Sequence, residues 1–227
     1  MTTYQGIIFD FNGVLWWDSH LQEQSWVEFS TKIRGVPLSP KEMAVHMHGR
    51  SNQYLQEYLA NRPVTGSELE QLIEEKETAY RQLCLAQGAD FKLSPGAIDL
   101  LDFLVGRRIP HTIATASGRN NLDFFIQYLH LDRWFDLKQI AYDDGSRPGK
   151  PAPDIYLRAA ENIGLAPATC AVVEDSYAGL AAARAAGIGH IVALGPPHTH
   201  RRLSQIQGVN RVIENLTDLP QEELFET

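Results

Sequence analysis

From Ser94 onward, short apolar runs of strand character alternate with helical stretches. Such an order fits a parallel sheet with helices on both faces. The pattern predicts strands at 111–116, 139–142, 169–173 and 190–194, with helices at 119–128, 154–163 and 176–186 between them. Gly187 is placed to stop the last of these helices. Ser94-Pro95 reads as a helix start and Gly106 as its end. One more strand is expected near the N-terminus, where the apolar run Gly6-Ile7-Ile8-Phe9 ends in Asp10.

Between that first strand and the alternating region the pattern is helical only. Over residues 17–90, Ser39-Pro40 with Glu42 gives a capping box and a first-turn proline. Ser67 with Glu70 has the same spacing, followed by Leu69, Leu72, Ile73, Tyr80 and Leu83 at helical intervals. The block reads as an insertion, so the chain divides into an α/β domain of residues 1–16 and 92–227 and an all-helical domain of residues 17–91. A length of 227 residues suffices for one domain with such an insert. No internal repeat or low-complexity tail interrupts it.

Composition narrows the partners. Twenty Lys and Arg against 28 Asp and Glu leave a net charge of −8, with no basic run. That disfavours nucleic acid and anionic membrane surfaces, so an anion must be bound by a few local donors. Cys84 and Cys170 have neither a disulfide framework nor metal-ligand spacing and read as free, buried thiols. The first residues lack a basic stretch followed by an apolar one, and the Ala-rich run near Ala178 is broken by Arg184 and glycines. The expectation is therefore a cytoplasmic monomer with no secretion signal and no membrane span.

Polar residues stand at the ends of the apolar runs or in the loops after them: Asp10, Thr115, Lys150 and the pair Glu174-Asp175. Strand carboxyl ends line the ligand crevice of an open parallel sheet, so these distant residues can converge. Two or three carboxylates suit Mg²⁺, a lysine and a hydroxyl suit a phosphoryl group, and a carboxylate can act as nucleophile. The bland readings are a cap for Asp10 or Asp175, strand packing for Thr115, a solvated loop lysine for Lys150 and a structural acid for Glu174.

The motifs decide more. Asp10-Phe11-Asn12-Gly13-Val14-Leu15 resembles the first motif of the haloacid dehalogenase-like superfamily, and Ile113-Ala114-Thr115-Ala116-Ser117 the second. Gly149-Lys150-Pro151-Ala152-Pro153-Asp154 resembles the third, and Val172-Val173-Glu174-Asp175-Ser176 the fourth. All four stand in the superfamily's order, and the chain is most similar to its β-phosphoglucomutase-like phosphatase branch. The resemblance implies a Rossmann-like core, a helical cap, Mg²⁺ and a small phosphorylated metabolite as substrate. It implies that Asp10 attacks phosphorus and ligates the metal, with the carbonyl of Asn12, Asp175 and either Glu174 or a water beside it. Thr115, Ala116 and Ser117 would hold the phosphoryl group, and Lys150 would bridge it to Asp10. Arg50, in the cap segment His48-Gly49-Arg50-Ser51-Asn52, would reach the rest of the substrate; pairing with a cap carboxylate is its bland alternative. Trp16 and Trp17 read as hinge packing, and His198 and His200 as loop residues facing solvent.

Two departures matter. Asn12 replaces the carboxylate that in the superfamily protonates the leaving group and then activates water, a function worth ~10²–10⁴-fold. The amide is an engineered trap, a natural residue in an enzyme with another acid–base group, or the mark of a phosphometabolite-binding protein with little turnover. At the hinge, Gln22 stands where the mutase has a histidine, with His20 nearby, which favours a phosphatase over a mutase. Lys32, Lys41 and Lys76 occur in the cap, but none has a recognisable Schiff-base context. Asn12-Gly13 is also a dipeptide that cyclises to a succinimide in a flexible chain, a route by which aging would restore an acid at position 12.

Overall fold

The computed structural model describes residues 3–47 and 50–225. Strand β1 (Gly6–Phe9) comes first, then α1 (Ser19–Arg34), the short α2 (Pro40–Glu42), α3 (Asn52–Ala60) and α4 (Gly66–Ala86). The alternating half contributes α5 (Ala97–Arg107), β2 (His111–Gly118), α6 (Arg119–Leu129), β3 (Ala141–Asp143), α7 (Asp154–Asn162) and β4 (Cys170–Glu174). It ends with α8 (Tyr177–Ala185), β5 (His190–Leu194), α9 (His200–Leu203), β6 (Val209–Ile213) and α10 (Gln221–Leu224). The six strands lie in the order β3-β2-β1-β4-β5-β6, and every pairing is parallel. The α/β sheet and the helical insertion between β1 and β2 are as expected.

The period-2 pleat sorts the strand residues to two faces. Ile7, Phe9, Ile113 and Val173 pack against Leu101 and Leu104 of α5 and Leu122 and Phe125 of α6. Ile8, Ala114, Val172 and Ile191 pack against Tyr156 and Ala159 of α7 and Leu180 and Ala183 of α8. Burial on both faces accounts for the apolar character of β1 and β4, all of whose residues are buried. The insertion has its own core of Trp26, Phe29, Leu38, Met43, Met47, Leu55 and Leu59. No strand occurs in it among the described residues.

The element ends correct several readings. The Ser39 capping box is formed, but α4 starts at Gly66 behind Thr65, so Ser67 does not cap it. Helix α5 starts at Ala97 and runs past Gly106 to Arg108, which closes it at φ 56°. Ser94 instead ties the two linkers together, its hydroxyl donating to the Val14 carbonyl at 2.6 Å and its amide to Leu15 at 2.8 Å. Ser176, not Asp175, caps α8, accepting from the Gly179 amide at 3.0 Å. The strand expected at 139–142 is Ala141–Asp143. Strand β6 was not anticipated; Val209–Ile213 is an edge strand with two exposed polar residues, Asn210 and Arg211, and so lacks an apolar run. His200 is half-buried and bonded to the Gly195 carbonyl at 2.8 Å rather than free in a loop.

Candidate active site

Strand β1 sits where the chain order reverses, with β2 on one side and β4 on the other. That is the topological switch point at which open α/β sheets bind ligands. Asp10 follows β1 directly, its amide bonded to the Val173 carbonyl of β4 at 3.0 Å. Glu174 ends β4, Asp175 follows it, and Thr115 lies in β2. Lys150 arrives from the loop between β3 and α7. Residues as far apart in sequence as Asp10 and Asp175 thereby meet in one place.

Lys150 is the electrostatic centre of this place. Its ammonium donates to Asp10 Oδ1 at 2.6 Å, to Glu174 Oε2 at 2.7 Å and to the Ala114 carbonyl at 3.3 Å. Burial opposes the Lys150 charge, but Asp10 and Glu174 hold its pKa above the ordinary lysine value. Glu174 is fully buried. Its Oε1 accepts from the amides of Asp175 and Ser176 and the Ser176 hydroxyl, and its Oε2 accepts from Tyr156 as well as Lys150. Burial alone would raise its pKa, yet the Lys150 charge and these donors bring it below the ordinary carboxylate value. Asp10 has fewer donors, and burial together with the Glu174 charge pushes it up to about 7 against the pull of Lys150. Burial and the same negative neighbours raise Asp175 well above a normal aspartate.

Carboxylate oxygens of Asp10, Glu174 and Asp175 lie within 4.8 Å of one another. This oxygen-only set fits a hard divalent cation, and three acids gathered around one lysine leave negative charge for it to neutralise. Gly13 makes the gathering possible. It adopts φ +83°, and a Cβ there would sit 2.1 Å from Asp175 Oδ2.

A cavity of about 90 Å³ opens over these groups. The core supplies Asp10, Asn12, Thr115, Ala116, Ser117 and Asp175 to its walls, and the inserted helices supply Gln22, Trp26, Arg50, Lys76 and Glu77. The Ser117 amide bonds Thr115 Oγ1 at 3.0 Å, which curls this segment around the cavity floor. The Arg50 guanidinium lies 4.9 Å from the Tyr54 ring centre, with its Nε buried and unpartnered. His48 and Gly49, named with it, lie outside the described residues.

Several site residues were not foreseen. Lys76 is buried, donating to Gln22 Oε1 at 2.7 Å and paired with Glu77 at 3.3 Å, with Trp26 and Tyr80 rings 4.4 and 5.0 Å away. Burial lowers its pKa against the pull of Glu77. Its helical spacing with Tyr80 was the only signal available. Asp18, just before α1, is fully buried and bonded to Asn12, Gly13 and Tyr80. Burial raises its pKa, and the hydrogen bonds from Tyr80, Asn12 and Gln22 offset part of that rise. Trp16 is buried against Phe91 at the junction, as expected, whereas Trp17 is exposed.

This geometry agrees with what the chain is similar to. Residues 4–187 match the profile of the haloacid dehalogenase-like hydrolases, and the chain belongs to that family. Within it, the chain falls in family IA, in the β-phosphoglucomutase- and CbbY-like branch with a helical cap region. A solved family IA, variant 3 hydrolase from Entamoeba histolytica is 38% identical, superposes with a TM-score of 0.85, and the match covers 97% of each chain. Hexitol phosphatase A of Escherichia coli is 28% identical over 214 residues, 94% of this chain and 93% of that protein. Protein CbbY of Rhodobacter capsulatus is 39% identical over 114 residues, half of each chain. Among the described residues, no helix is long and apolar enough to cross a membrane.

Proposed function

We propose that this hydrolase is a Mg²⁺-dependent phosphatase of small phosphorylated sugars or polyols, working through an aspartyl-phosphate on Asp10. The observation that carries the reading is Lys150, locked at 2.6 Å on Asp10 beside a three-carboxylate cluster. The ammonium fixes one Asp10 oxygen and leaves the other for attack in line with the leaving oxygen. In the first half, an Asp10 oxygen bonds phosphorus as the phosphorus–oxygen bond to the substrate breaks. In the second, water attacks phosphorus, the Asp10–phosphorus bond breaks, and inorganic phosphate leaves.

Asp10 and Asp175, with the Asn12 carbonyl, would hold Mg²⁺, and Glu174 would stand behind them or reach the ion through water. The ion supplies charge neutralisation for the phosphoryl oxygens. Thr115, Ala116 and Ser117 orient the phosphoryl group from the cavity floor, and Lys150 neutralises its charge. Residues 17–91 act as a cap that excludes water, with Arg50 reaching the remainder of the substrate. The mixture of Gln22, Lys76, Glu77 and the Trp26 ring around the cavity suits a polyhydroxylated substrate, with donors, acceptors and an apolar face. The similarity to hexitol phosphatase A supports the same class.

Phosphate release from a panel of hexose, pentose and hexitol phosphates with Mg²⁺ tests the reading. Turnover of at least one member, lost in Asp10→Asn, is the expected result. A folded protein with no turnover on any member refutes the enzyme reading in favour of a binding protein.

A further inference from the structure

A buried amide of the core reaches into the inserted helices. Asn121 stands in the first turn of α6, just after the Thr115–Ser117 segment of the cavity floor, and is 3% exposed. Its Nδ2 donates to Glu77 Oε2 at 2.6 Å, and its Oδ1 accepts from Arg81 Nη1 at 2.8 Å. Both partners belong to α4 of the insertion. Arg81 fixes which end of the amide is oxygen, so the nitrogen faces Glu77. A carboxylate at this position would meet Glu77 Oε2 at close range, and a cation would meet Arg81. Beside this contact, Glu74 of α4 accepts from Asn120 of α6 at 2.9 Å and from Arg81. The Glu77 carboxylate is shared, because its other oxygen, Oε1, pairs with Lys76 at 3.3 Å. Lys76 donates to Gln22 Oε1 at 2.7 Å and lines the cavity with Gln22 and Glu77. A continuous chain of contacts therefore runs from core helix α6 through Glu77 to the ammonium over the cavity.

We infer that Asn121 is a positioning residue that sets substrate affinity by holding Glu77, and through it Lys76, toward the substrate hydroxyls. The inference rests on the phosphatase reading above, with a sugar or polyol phosphate as substrate. Asn121 does not border the cavity and touches no reacting atom. Lys76 and Glu77 present a donor and an acceptor side by side, which suits neighbouring hydroxyls of one carbon chain. A buried ion pair of this kind needs hydrogen bonds on its outer sides, and Gln22 supplies one to Lys76 and Asn121 one to Glu77. Among the described residues, no other group donates to Glu77 Oε2. Without the Asn121 donor, Glu77 is free to turn both oxygens onto Lys76, and the ammonium is withdrawn from the substrate. Because Asn121 belongs to the core and Glu77 to the insertion, the pair is set for substrate only with the helices seated over the core.

The test compares wild type, Asn121→Asp, Glu77→Gln and the reciprocal pair Asn121→Asp/Glu77→Gln. The substrate is the hexose, pentose or hexitol phosphate that wild type turns over best. Inorganic phosphate, as a competitive inhibitor, reports the phosphoryl site alone. Asn121→Asp should raise KM by ~10–100-fold, the worth of a hydrogen bond to a charged group. Its kcat should stay within about threefold, because the lost contact holds substrate and transition state alike. The phosphate inhibition constant should stay within about twofold, because phosphate brings no hydroxylated chain to Lys76. Glu77→Gln alone should also raise KM, since its amide nitrogen must face either Asn121 Nδ2 or the Lys76 ammonium. In the reciprocal pair the new amide donates to the new carboxylate, Arg81 keeps its acceptor and Lys76 keeps an oxygen. KM of the pair should therefore return to within about threefold of wild type.

A folded Asn121→Asp with KM within about threefold of wild type overturns the inference. A phosphate inhibition constant that rises in step with KM also overturns it, since it marks a collapsed site rather than a withdrawn lysine. So does a pair that recovers the melting midpoint but not KM, which marks a merely structural bridge. Should Asn121→Asp fail to fold, the other two variants decide. A raised KM in Glu77→Gln with a pair near wild type is support, and any other combination overturns the inference. Wild type separates the two levels. If it turns over no member of the panel, the phosphatase reading falls and takes this inference with it. If it turns over one and the variants match it, only the Asn121 assignment falls.

Discussion

Replacing Lys150 with methionine keeps most of the side-chain volume and removes the charge. The Lys150 side chain is 1% exposed, and its partners Asp10 and Glu174 are 9% and 0% exposed, so water does not substitute for it. Removing one member of a buried ion pair costs ~3–5 kcal/mol, because the partner charge is left uncompensated. Here two carboxylates lose their partner, but Asp10 already titrates near 7 and can take up a proton instead. Protonation caps the cost, so the lower figure, ~3 kcal/mol, is the expected loss without metal. At ~2–4 °C per kcal/mol for a chain of this size, the melting midpoint in EDTA should fall by ~6–12 °C. Millimolar Mg²⁺ should recover part of that loss, because the ion answers the same carboxylates. Turnover should remain lowered by ~10²–10³-fold even with Mg²⁺, since the phosphoryl group loses a fixed positive neighbour. Thermal melts with EDTA and with Mg²⁺, alongside phosphate release, measure all three. A midpoint within about 2 °C of wild type in EDTA refutes the reasoning, because it would mean that the carboxylates never depended on this lysine.

Four further outcomes follow from the site. Gly13→Ala should abolish Mg²⁺ binding by isothermal titration, because the new Cβ falls 2.1 Å from Asp175 Oδ2 and the residue is strained at φ +83°. Arg50→Ala should raise KM at least tenfold while leaving the Mg²⁺ dissociation constant within twofold, as Arg50 lines the cavity and is not among the clustered acids. Apparent Mg²⁺ affinity should fall as pH drops below about 7. Asp10, raised to about 7 without metal, then holds a proton that the ion must displace, at roughly tenfold per pH unit for one proton. Asn12 should stay intact on storage at mildly alkaline pH, as followed by peptide mass spectrometry. The Gly13 amide is engaged with the Trp16 carbonyl at 2.7 Å and Asp18 at 3.0 Å, and the Asn12 side chain is held at both ends, so ring closure is obstructed.

What the sequence made legible is what short-range pattern carries. The parallel sheet was readable because β1 and β4 are buried on both faces and therefore continuously apolar. Asp10, Thr115, Lys150 and Glu174-Asp175 stood out because each terminates or follows such a run. Strand β6 escaped because it is an edge with exposed Asn210 and Arg211, where nothing forces an apolar run. On the cap side of the cavity Arg50 and the hinge position Gln22 were legible from the motifs, while the contacts made there were not. Gln22, Lys76 and Tyr80 come from two helices, and their chemistry depends on how α1 and α4 pack, which sets the 2.7 Å contact between Lys76 and Gln22 across 54 positions. Asp18 carried no local signal, since only the turn formed by residues 11–16 brings it back on Asn12. That turn is built by three amides, of Val14, Leu15 and Trp16, converging on the Phe11 carbonyl at 2.9 to 3.3 Å. Read along the chain, Asn12 is a missing acid. In space its amide bridges Asp18 at 2.7 Å and the Ser117 hydroxyl at 2.9 Å, contacts that no local sequence pattern announces.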